Sequence, residues 1–184
     1  MRLRLEGPLD PAGEKELQDW MIESPGNREA IEDLLQEESL LRAVRFAVEL
    51  GFDIEPDTLE AIPPNASRLA KVSGERIRDE FMRILASDDP HRGVRLLLET
   101  GLLEVFLPEL LEGRTMSQPK HHKYPVLEHN LLSLKHTPSA DPLVRLAALL
   151  HDVGKPRSAR GPDRTRTFHG HEVIGARMTK DIMR

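Results

Sequence analysis

The sequence predicts an all-α protein, with a helical subdomain followed by a helical bundle. Two observations predict this class: apolar residues recur at three- and four-residue steps, and aromatic residues make up only 4% of the chain. Leu, Ala, Val and Ile must therefore fill the core. The 184 residues are enough for one good core or two small subdomains, and no period of about 20–50 residues indicates a repeat array.

The first part of the chain carries two strong amphipathic patterns. Residues 27–51 predict a helix with Asn27 as its N-terminal cap and Gly51 at its end. Residues 73–87 repeat the pattern behind Ser73, which is placed as a cap. Both segments indicate helices that bury one face.

Two further segments and a loop complete this part. Residues 89–101 predict a helix that ends in a glycine, and residues 102–111 predict a shorter helix after it. The polar stretch 113–123 predicts a loop. We place the boundary between the two subdomains there.

Beyond the loop, three more helices are expected. Residues 125–136 begin with a proline, which is tolerated in a first turn. Residues 141–154 start at Asp141, are almost entirely apolar in the middle, and predict a helix that is buried on most sides and ends at Gly154. Residues 169–184 begin a helix that no glycine or proline closes, so we expect a helix that is cut at its C-terminus.

Charge is distributed unevenly. Residues 1–112 hold 13 Lys and Arg against 25 Asp and Glu, a balance of −12, and residues 113–184 hold 13 against 6, a balance of +7. Seven of the eight histidines lie in that second stretch. A basic, histidine-rich segment suits a phosphate-bearing partner or a metal, although the two halves could also simply offset each other.

The composition also bears on location. Without cysteine there is no disulfide framework, and a reducing compartment is expected. No apolar segment approaches the roughly 20 residues that a membrane helix needs, and the N-terminus lacks a signal-peptide core. We expect a cytoplasmic protein with no membrane partner.

Histidines and an aspartate form the candidate metal site. His151 and Asp152 follow the apolar run of one predicted helix, and His129 lies 22 residues earlier on the preceding one, a spacing that lets two antiparallel helices bring them together. At a helix end, neighbouring side chains can turn towards one point, and the C-terminal dipole favours a cation. His136 is about 10 Å from His129 along the helix and cannot share the same ion. A hydrogen-bonded structural role remains the alternative for any single histidine.

The loop after Lys155 carries four arginines and one aspartate before Phe168. Guanidinium groups suit bidentate contacts with phosphate, and a solvated loop is the alternative. The predicted phosphate ligands from this loop are Arg157, Arg160, Arg164 and Arg166.

Several motifs resemble known families. "VLEHNLLSL" (126–134), "LAALLHDVGKP" (146–156) and "FHGHEVIGA" (168–176) resemble the successive motifs of the HD superfamily of metal-dependent phosphohydrolases. The segments 40–62, 74–85 and 96–110 resemble the helical neck and body of bacterial tRNA nucleotidyltransferases, the CCA-adding and poly(A) polymerase family. The resemblance covers nearly all residues from about 27 to 182.

The resemblance implies roles for individual residues. His129, His151 and Asp152 match the metal ligands, and His151, Asp152 and Lys155 match the catalytic positions. Lys155 matches a lysine that usually faces substrate phosphate, and His171 matches a histidine used for a second metal or a phosphate. Two further histidines, His122 and His169, are candidates to support the ligands.

The resemblance also implies a domain division. Residues 1–26 correspond to a residual link from the polymerising head, 27–112 to the neck and body, and 113–184 to an HD domain that is truncated at its C-terminus. The glycine-serine loop and D-x-D motif of the head are missing, and Asp53-Ile54-Glu55 is interpreted as a turn beside a helix. Where active relatives carry a base-reading E-D-x-x-R face, this chain has Leu35, Gln36 and Ser39. Nucleotide addition is therefore not expected.

The expected function is a metal-dependent HD-type phosphohydrolase that acts on nucleotides or on the 2′ or 2′,3′-cyclic phosphates of RNA ends. Mg, Mn, Ni, Co or Fe would suit the ligands. HD sites usually include a further aspartate downstream, which is not found among these residues. The metal would then be held by three protein ligands and water, or a partner chain or further residues would supply the remaining ligand. The alternative is a non-catalytic module that binds tRNA or docks a separate nucleotidyltransferase head. Sequence leaves the substrate, the metal and the oligomeric state open.

Overall fold

The computed structural model describes residues 39–119 and 123–183, and within these ranges every regular element is helical. The all-α class is confirmed. The α-helices are α1 Ser39–Glu49, α2 Pro56–Ala61, α3 Gly74–Ala86, α4 Pro90–Glu99, α5 Leu102–Phe106, α6 Pro108–Leu111, α7 Val126–Lys135, α8 Pro142–Leu150, α9 Lys155–Ser158 and α10 His171–Ile182. Short 3-10 helices cover Pro63–Lys71 and Asp163–Thr165.

Most of the predicted helices are found close to their expected positions. The segments 73–87, 89–101 and 125–136 correspond to α3, α4 and α7. The helix predicted over 27–51 is described from Ser39, and Gly51 follows its end with a left-handed φ of 71°. The predicted link 1–26, residues 27–38 with the cap at Asn27, and His122 lie outside the described residues.

Local chemistry explains where several helices begin. Asp141 caps α8 by accepting a hydrogen bond from the Leu143 amide at 2.8 Å. Glu55 caps α2 through the Thr58 amide at 2.9 Å, which confirms that 53–55 flanks a helix. Ser73 stands at the cap position of α3, but its side chain makes no capping hydrogen bond.

Two predicted helix bounds are wrong. The helix expected over 102–111 is broken at Leu107, because Pro108 disfavours helical geometry in the residue before it and cannot donate a backbone hydrogen bond. The helix expected over 141–154 ends at Leu150, and 151–154 form a turn. That early end leaves the residues after Leu150 free to depart from the helical path.

The expectation that α8 is buried on most sides is also wrong. Leu146, Leu149 and Leu150 face the core, whereas Leu143 is 57% exposed and Val144 46% exposed. One stripe of the helix therefore packs on α3 and α7, and the other apolar side is not covered by the described part of the chain.

Gly154 has a different role from the helix terminator that was predicted. Its φ of −81° is available to any residue. A Cβ at this position would lie 2.2 Å from the His171 carbonyl oxygen and 2.4 Å from the Gly175 amide nitrogen. Only glycine allows the turn after α8 to come this close to α10.

The hydrophobic core is continuous across the loop that begins at residue 113. Buried side chains from both sides, from Leu40 to Met178, belong to a single cluster. Arg145 of α8 adds polar contacts, since it donates to the carbonyl oxygens of Leu85 and Ser87, each at 2.7 Å, at the end of α3. These contacts fix α8, and with it the residues that follow, against the rest of the fold.

Candidate metal centre

Three predicted ligand residues lie together at one end of α7 and α8. The Nε2 atoms of His129 and His151 are 3.1 Å apart. The Oδ2 atom of Asp152 is 3.4 Å from the first and 3.2 Å from the second. Within the described ranges, this is the one group of three or more His and acidic residues whose geometry could hold a metal ion.

The end of α8 explains how adjacent residues reach one point. His151 is the C-terminal cap, and the chain turns directly after it, with hydrogen bonds from the Val153 amide to the Leu150 oxygen and from the Lys155 amide to the Asp152 oxygen, both 3.0 Å. Within a continuing helix, His151 and Asp152 would point about 100° apart. His151 itself keeps helical torsions, with φ −57° and ψ −32°, and at this helix end the two side chains bring His151 Nε2 and Asp152 Oδ2 to 3.2 Å.

The separations between the ligand atoms fit a metal of ordinary size. Two ligand atoms about 2.1 Å from one ion are about 3.0 Å apart at a right angle and about 3.4 Å apart at a tetrahedral angle. The three observed separations, 3.1, 3.2 and 3.4 Å, fall close to or within this range. Two imidazoles and one carboxylate also form a donor set that suits several divalent transition metals.

The carboxylate of Asp152 contacts every other charged or imidazole side chain described at the site. The residue is only 4% exposed, and its Oδ2 atom also accepts a 2.6 Å contact from the Lys155 ammonium. Its other oxygen, Oδ1, is 3.5 Å from Nε2 of His171. Burial by itself would raise the pKa of the Asp152 carboxyl, but hydrogen bonds from His151 and Lys155 outweigh burial and hold that pKa far below its usual range.

Backbone carbonyls orient two of the histidines. Nδ1 of His151 lies 2.8 Å from the Ala148 oxygen, and Nδ1 of His171 lies 2.8 Å from the Phe168 oxygen. A carbonyl oxygen only accepts, so Nδ1 carries the proton in each ring. In the neutral form, Nε2 then presents its lone pair towards Asp152. When the His151 ring is protonated, its Nε2–H donates to Asp152 instead; this hydrogen bond raises the pKa of the His151 imidazole, and partial burial opposes that rise.

Lys155 is brought to the site but lies beneath it. The residue is 6% exposed, and its ammonium donates to Oε1 of Gln118 at 2.7 Å as well as contacting Asp152. It also lies 5.6 Å from the centre of the Phe168 ring, within range of a cation–π interaction. Its predicted contact with substrate phosphate stays a prediction.

The loop arginines have their own contacts in the structure. Arg157 makes a bidentate pair with Glu112, with distances of 2.6 and 3.0 Å. Arg166 pairs with Asp163 and donates to the Ser117 oxygen at 3.1 Å. Arg160 and Arg164 are exposed, and so is His169. These placements leave the predicted phosphate contacts as predictions.

Sequence reasoning missed Gln118. This residue is 7% exposed and its amide also donates to the Tyr124 oxygen at 3.2 Å. The stretch around it was interpreted only as a boundary loop. No local pattern marks a glutamine as buried, because its partner lies 37 positions further along the chain.

No helix in the described part of the chain combines the length and the apolar character needed to cross a membrane.

Comparison with known families agrees with the fold. Residues 128–184 match the HD domain family, and residues 51–113 match a family described as a probable RNA and SrmB-binding site of polymerase A. The first match contains His129, His151 and Asp152. The fold and the matches thus define a protein in which an HD domain follows, along the chain, a helical segment of an RNA-binding family.

Individual relatives identify the family more specifically. The chain is 44% identical to an A-adding tRNA nucleotidyltransferase from Deinococcus radiodurans over 153 residues, covering 77% of the chain and 35% of the relative. It is 40% identical to a CC-adding tRNA nucleotidyltransferase from Thermus thermophilus, covering 76% and 35%, and 31% identical to a multifunctional CCA protein from Neisseria gonorrhoeae, covering 78% and 36%. The chain belongs to this tRNA nucleotidyltransferase family. It spans about a third of the length of these relatives.

Proposed function

We propose that this chain is a metal-dependent phosphohydrolase of the HD type. The observation that carries the proposal is the set of 3.1–3.4 Å separations among the ligand atoms of His129, His151 and Asp152, which match the coordination shell of one divalent ion. The candidates for the ion are Mg, Mn, Ni, Co and Fe. We also propose the division into a neck and body up to residue 112 and an HD domain from 113 onwards.

The residues would share the work as follows. A divalent ion supplies Lewis-acid polarisation of a phosphoryl oxygen and activation of water. His129 and His151 would hold the ion through Nε2, and the buried Asp152 would hold it through its carboxylate. Nδ1 of His171 bonds to a backbone carbonyl, and Nε2 lies 3.5 Å from Oδ1 of Asp152. From this position, Nε2 of His171 would contact a phosphate oxygen of the substrate.

Exposed arginines of the loop between α9 and α10 would complete substrate binding. Arg160 and Arg164 lie on the loop between α9 and α10, where the backbone is closed by paired hydrogen bonds between Arg160 and Thr167 of 2.9 and 3.0 Å. A closed loop loses less conformational freedom when it binds phosphate. We propose nucleotides or RNA ends with 2′ or 2′,3′-cyclic phosphates as substrates and the cytoplasm as the location, in keeping with relatives named for tRNA.

A phosphatase and cyclic-phosphodiesterase screen tests this function. The purified chain is assayed with Mn²⁺, Ni²⁺, Co²⁺ or Mg²⁺ against 2′-phosphates, 3′-phosphates and 2′,3′-cyclic nucleotides. The wild type is expected to hydrolyse at least one class, with the activity removed by chelator and by the His151→Ala, Asp152→Ala double variant. His136→Ala is the matched control and should retain activity. Activity that survives the double change would contradict the proposal.

A second candidate is a module that binds tRNA or docks a separate nucleotidyltransferase head. It is favoured by the match of residues 51–113 to an RNA-binding family and by the names of the relatives. Charge argues against strong non-specific binding by that segment, since Arg92 pairs with Asp53 and Arg95 pairs with Glu128.

Fluorescence anisotropy with labelled tRNA across a salt series separates the two candidates. A binding module should bind tRNA with the same affinity whether or not His151 and Asp152 are replaced by alanine. The affinity should fall with rising salt in proportion to the phosphates that are contacted. Absence of binding at low salt would remove tRNA binding and leave the hydrolase and the docking of a nucleotidyltransferase head.

A further inference from the structure

We propose that Lys155 is a built-in counter-cation for Asp152 and that Gln118 holds it in place. The lysine ammonium neutralises the carboxylate when no metal ion is bound, and it thereby lowers the affinity of the site for a metal ion. This inference rests on the proposed metal centre. It assigns Lys155 and Gln118 a role in setting metal affinity, in place of a contact between Lys155 and substrate.

The first support is the position of the ammonium. Nζ of Lys155 lies 2.6 Å from Oδ2 of Asp152, the same oxygen that faces the Nε2 atoms of His129 and His151. A divalent ion held by that oxygen would therefore share it with a positive charge. Like charges this close repel strongly in a poorly hydrated environment.

The second support is burial. The side chain of Lys155 is 8% exposed and that of Asp152 is 5% exposed, so neither charge has much contact with water. An isolated buried carboxylate is strongly destabilising, and the ammonium compensates for it. The site can thus be formed before any ion binds.

The third support is how completely the ammonium is engaged. Gln118 accepts from it at 2.7 Å, Asp152 contacts it at 2.6 Å, and the Phe168 ring lies 5.6 Å away. Gln118 is itself fixed by its hydrogen bond to the Tyr124 oxygen. Three chain segments therefore hold the charge beneath the carboxylate, which is not the position of a group that reaches out to substrate.

Removing the positive charge of Lys155 should raise the metal affinity of the site in two ways. Without Lys155, the carboxylate meets the ion with no competing cation. The metal-free protein is also destabilised, because the buried carboxylate loses its ammonium partner and keeps only the neighbouring imidazoles, and binding of an ion would compensate for that loss. Both effects favour the ion, so Lys155→Met should bind metal more tightly than the wild type.

The experiment is isothermal titration of the chain with Mn²⁺, together with thermal unfolding in chelator. Lys155→Met is expected to bind Mn²⁺ about tenfold more tightly or better, because a neighbouring cation lowers the proton affinity of a carboxylate by about one to three orders of magnitude and a divalent ion meets the same repulsion. Its melting temperature should fall in chelator and recover with Mn²⁺. Lys180→Met, the same change at an exposed position, should behave as the wild type in both measurements.

Gln118→Leu tests the positioning role. It should strengthen Mn²⁺ binding in the wild-type background, less than Lys155→Met does, and should have no effect on affinity once Lys155 is Met. An equal effect of Gln118→Leu in both backgrounds would show that the glutamine acts on the fold rather than through the lysine.

Other results would overturn the proposal. Equal or weaker Mn²⁺ binding by Lys155→Met does so, and so does weaker binding of inorganic phosphate at unchanged Mn²⁺ affinity, which would assign Lys155 to the substrate. If Lys155→Met does not fold in chelator, adding Asp152→Asn should restore folding, and failure to do so contradicts the pairing. Tighter Mn²⁺ binding by Lys155→Met in a protein without hydrolase activity would leave the counter-cation in place and remove only the proposed function.

Discussion

At the scale of single residues, Asp152 connects the fold to the candidate chemistry. One of its oxygens faces two imidazoles and an ammonium, and the other faces His171. The carboxylate is buried because the turn after α8 is pressed against α10. That contact depends on the absence of a side chain at Gly154.

Gly154→Ala is therefore expected to be strongly destabilising. The added methyl group would meet backbone atoms of His171 and Gly175 at 2.2–2.8 Å, and backbone cannot step aside as a flexible side chain can. We expect a loss of about 3 kcal/mol in the free energy of unfolding, measured by chemical denaturation. Gly74→Ala is the control, since a Cβ there meets nothing within 4 Å, and it should be neutral or slightly stabilising. Equal effects of the two changes would contradict the close approach.

At the scale of helices, the site depends on where α3 and α8 end. Arg145 of α8 donates to the carbonyl oxygens of Leu85 and Ser87 at the end of α3, and to the Ser139 oxygen just before α8, all at 2.7 Å. Carbonyls at a helix end have no partner within the helix, so a charged donor stabilises them. This one side chain fixes α8, which leads directly to His151.

Arg145→Met should cost about 2–4 kcal/mol in the free energy of unfolding, because three charge-assisted hydrogen bonds are lost and the carbonyls are left without them. Urea denaturation followed by circular dichroism measures the loss. Arg177→Met, on the exposed side of α10, should change stability by less than about 0.5 kcal/mol. A loss of that small size at Arg145 would mean that α8 is positioned by apolar packing alone.

Helix periodicity was sufficient to predict α3, α4 and α7, because each has one apolar stripe and a recognisable end. It failed at the end of α8, since a continuous apolar run does not show where the backbone leaves the helix. The three candidate metal ligands, His129, His151 and Asp152, could be proposed from helical spacing and motif order. Gln118 could not, because its partner is fixed by long-range packing rather than by any local pattern.

At the scale of the whole molecule, the two halves share one core. Residues on both sides of the loop at 113 belong to the same buried cluster, α3 packs on α8, and α4 packs on α7. Arg95 of α4 also pairs with Glu128, the neighbour of His129. The segment that matches an RNA-binding family is therefore in direct contact with the helix that carries His129, a candidate metal ligand.

We expect the described helices to unfold together. Differential scanning calorimetry should show a single transition whose calorimetric and van't Hoff enthalpies agree, because separating the halves would expose their shared core. Two resolved transitions would show instead that the neck and body fold independently of the HD domain.

The central claim is that His129, His151 and Asp152 together bind one divalent ion. Titration of the metal-free chain with Mn²⁺, followed by calorimetry or electron paramagnetic resonance, tests it most directly when wild type, His129→Ala and His136→Ala are compared. His129 lies within α7 and His136 is the C-terminal cap of the same helix, but only His129 faces Asp152. We predict one ion per chain for the wild type and for His136→Ala, and at least about tenfold weaker binding for His129→Ala. Equal binding by all three proteins would contradict the claim.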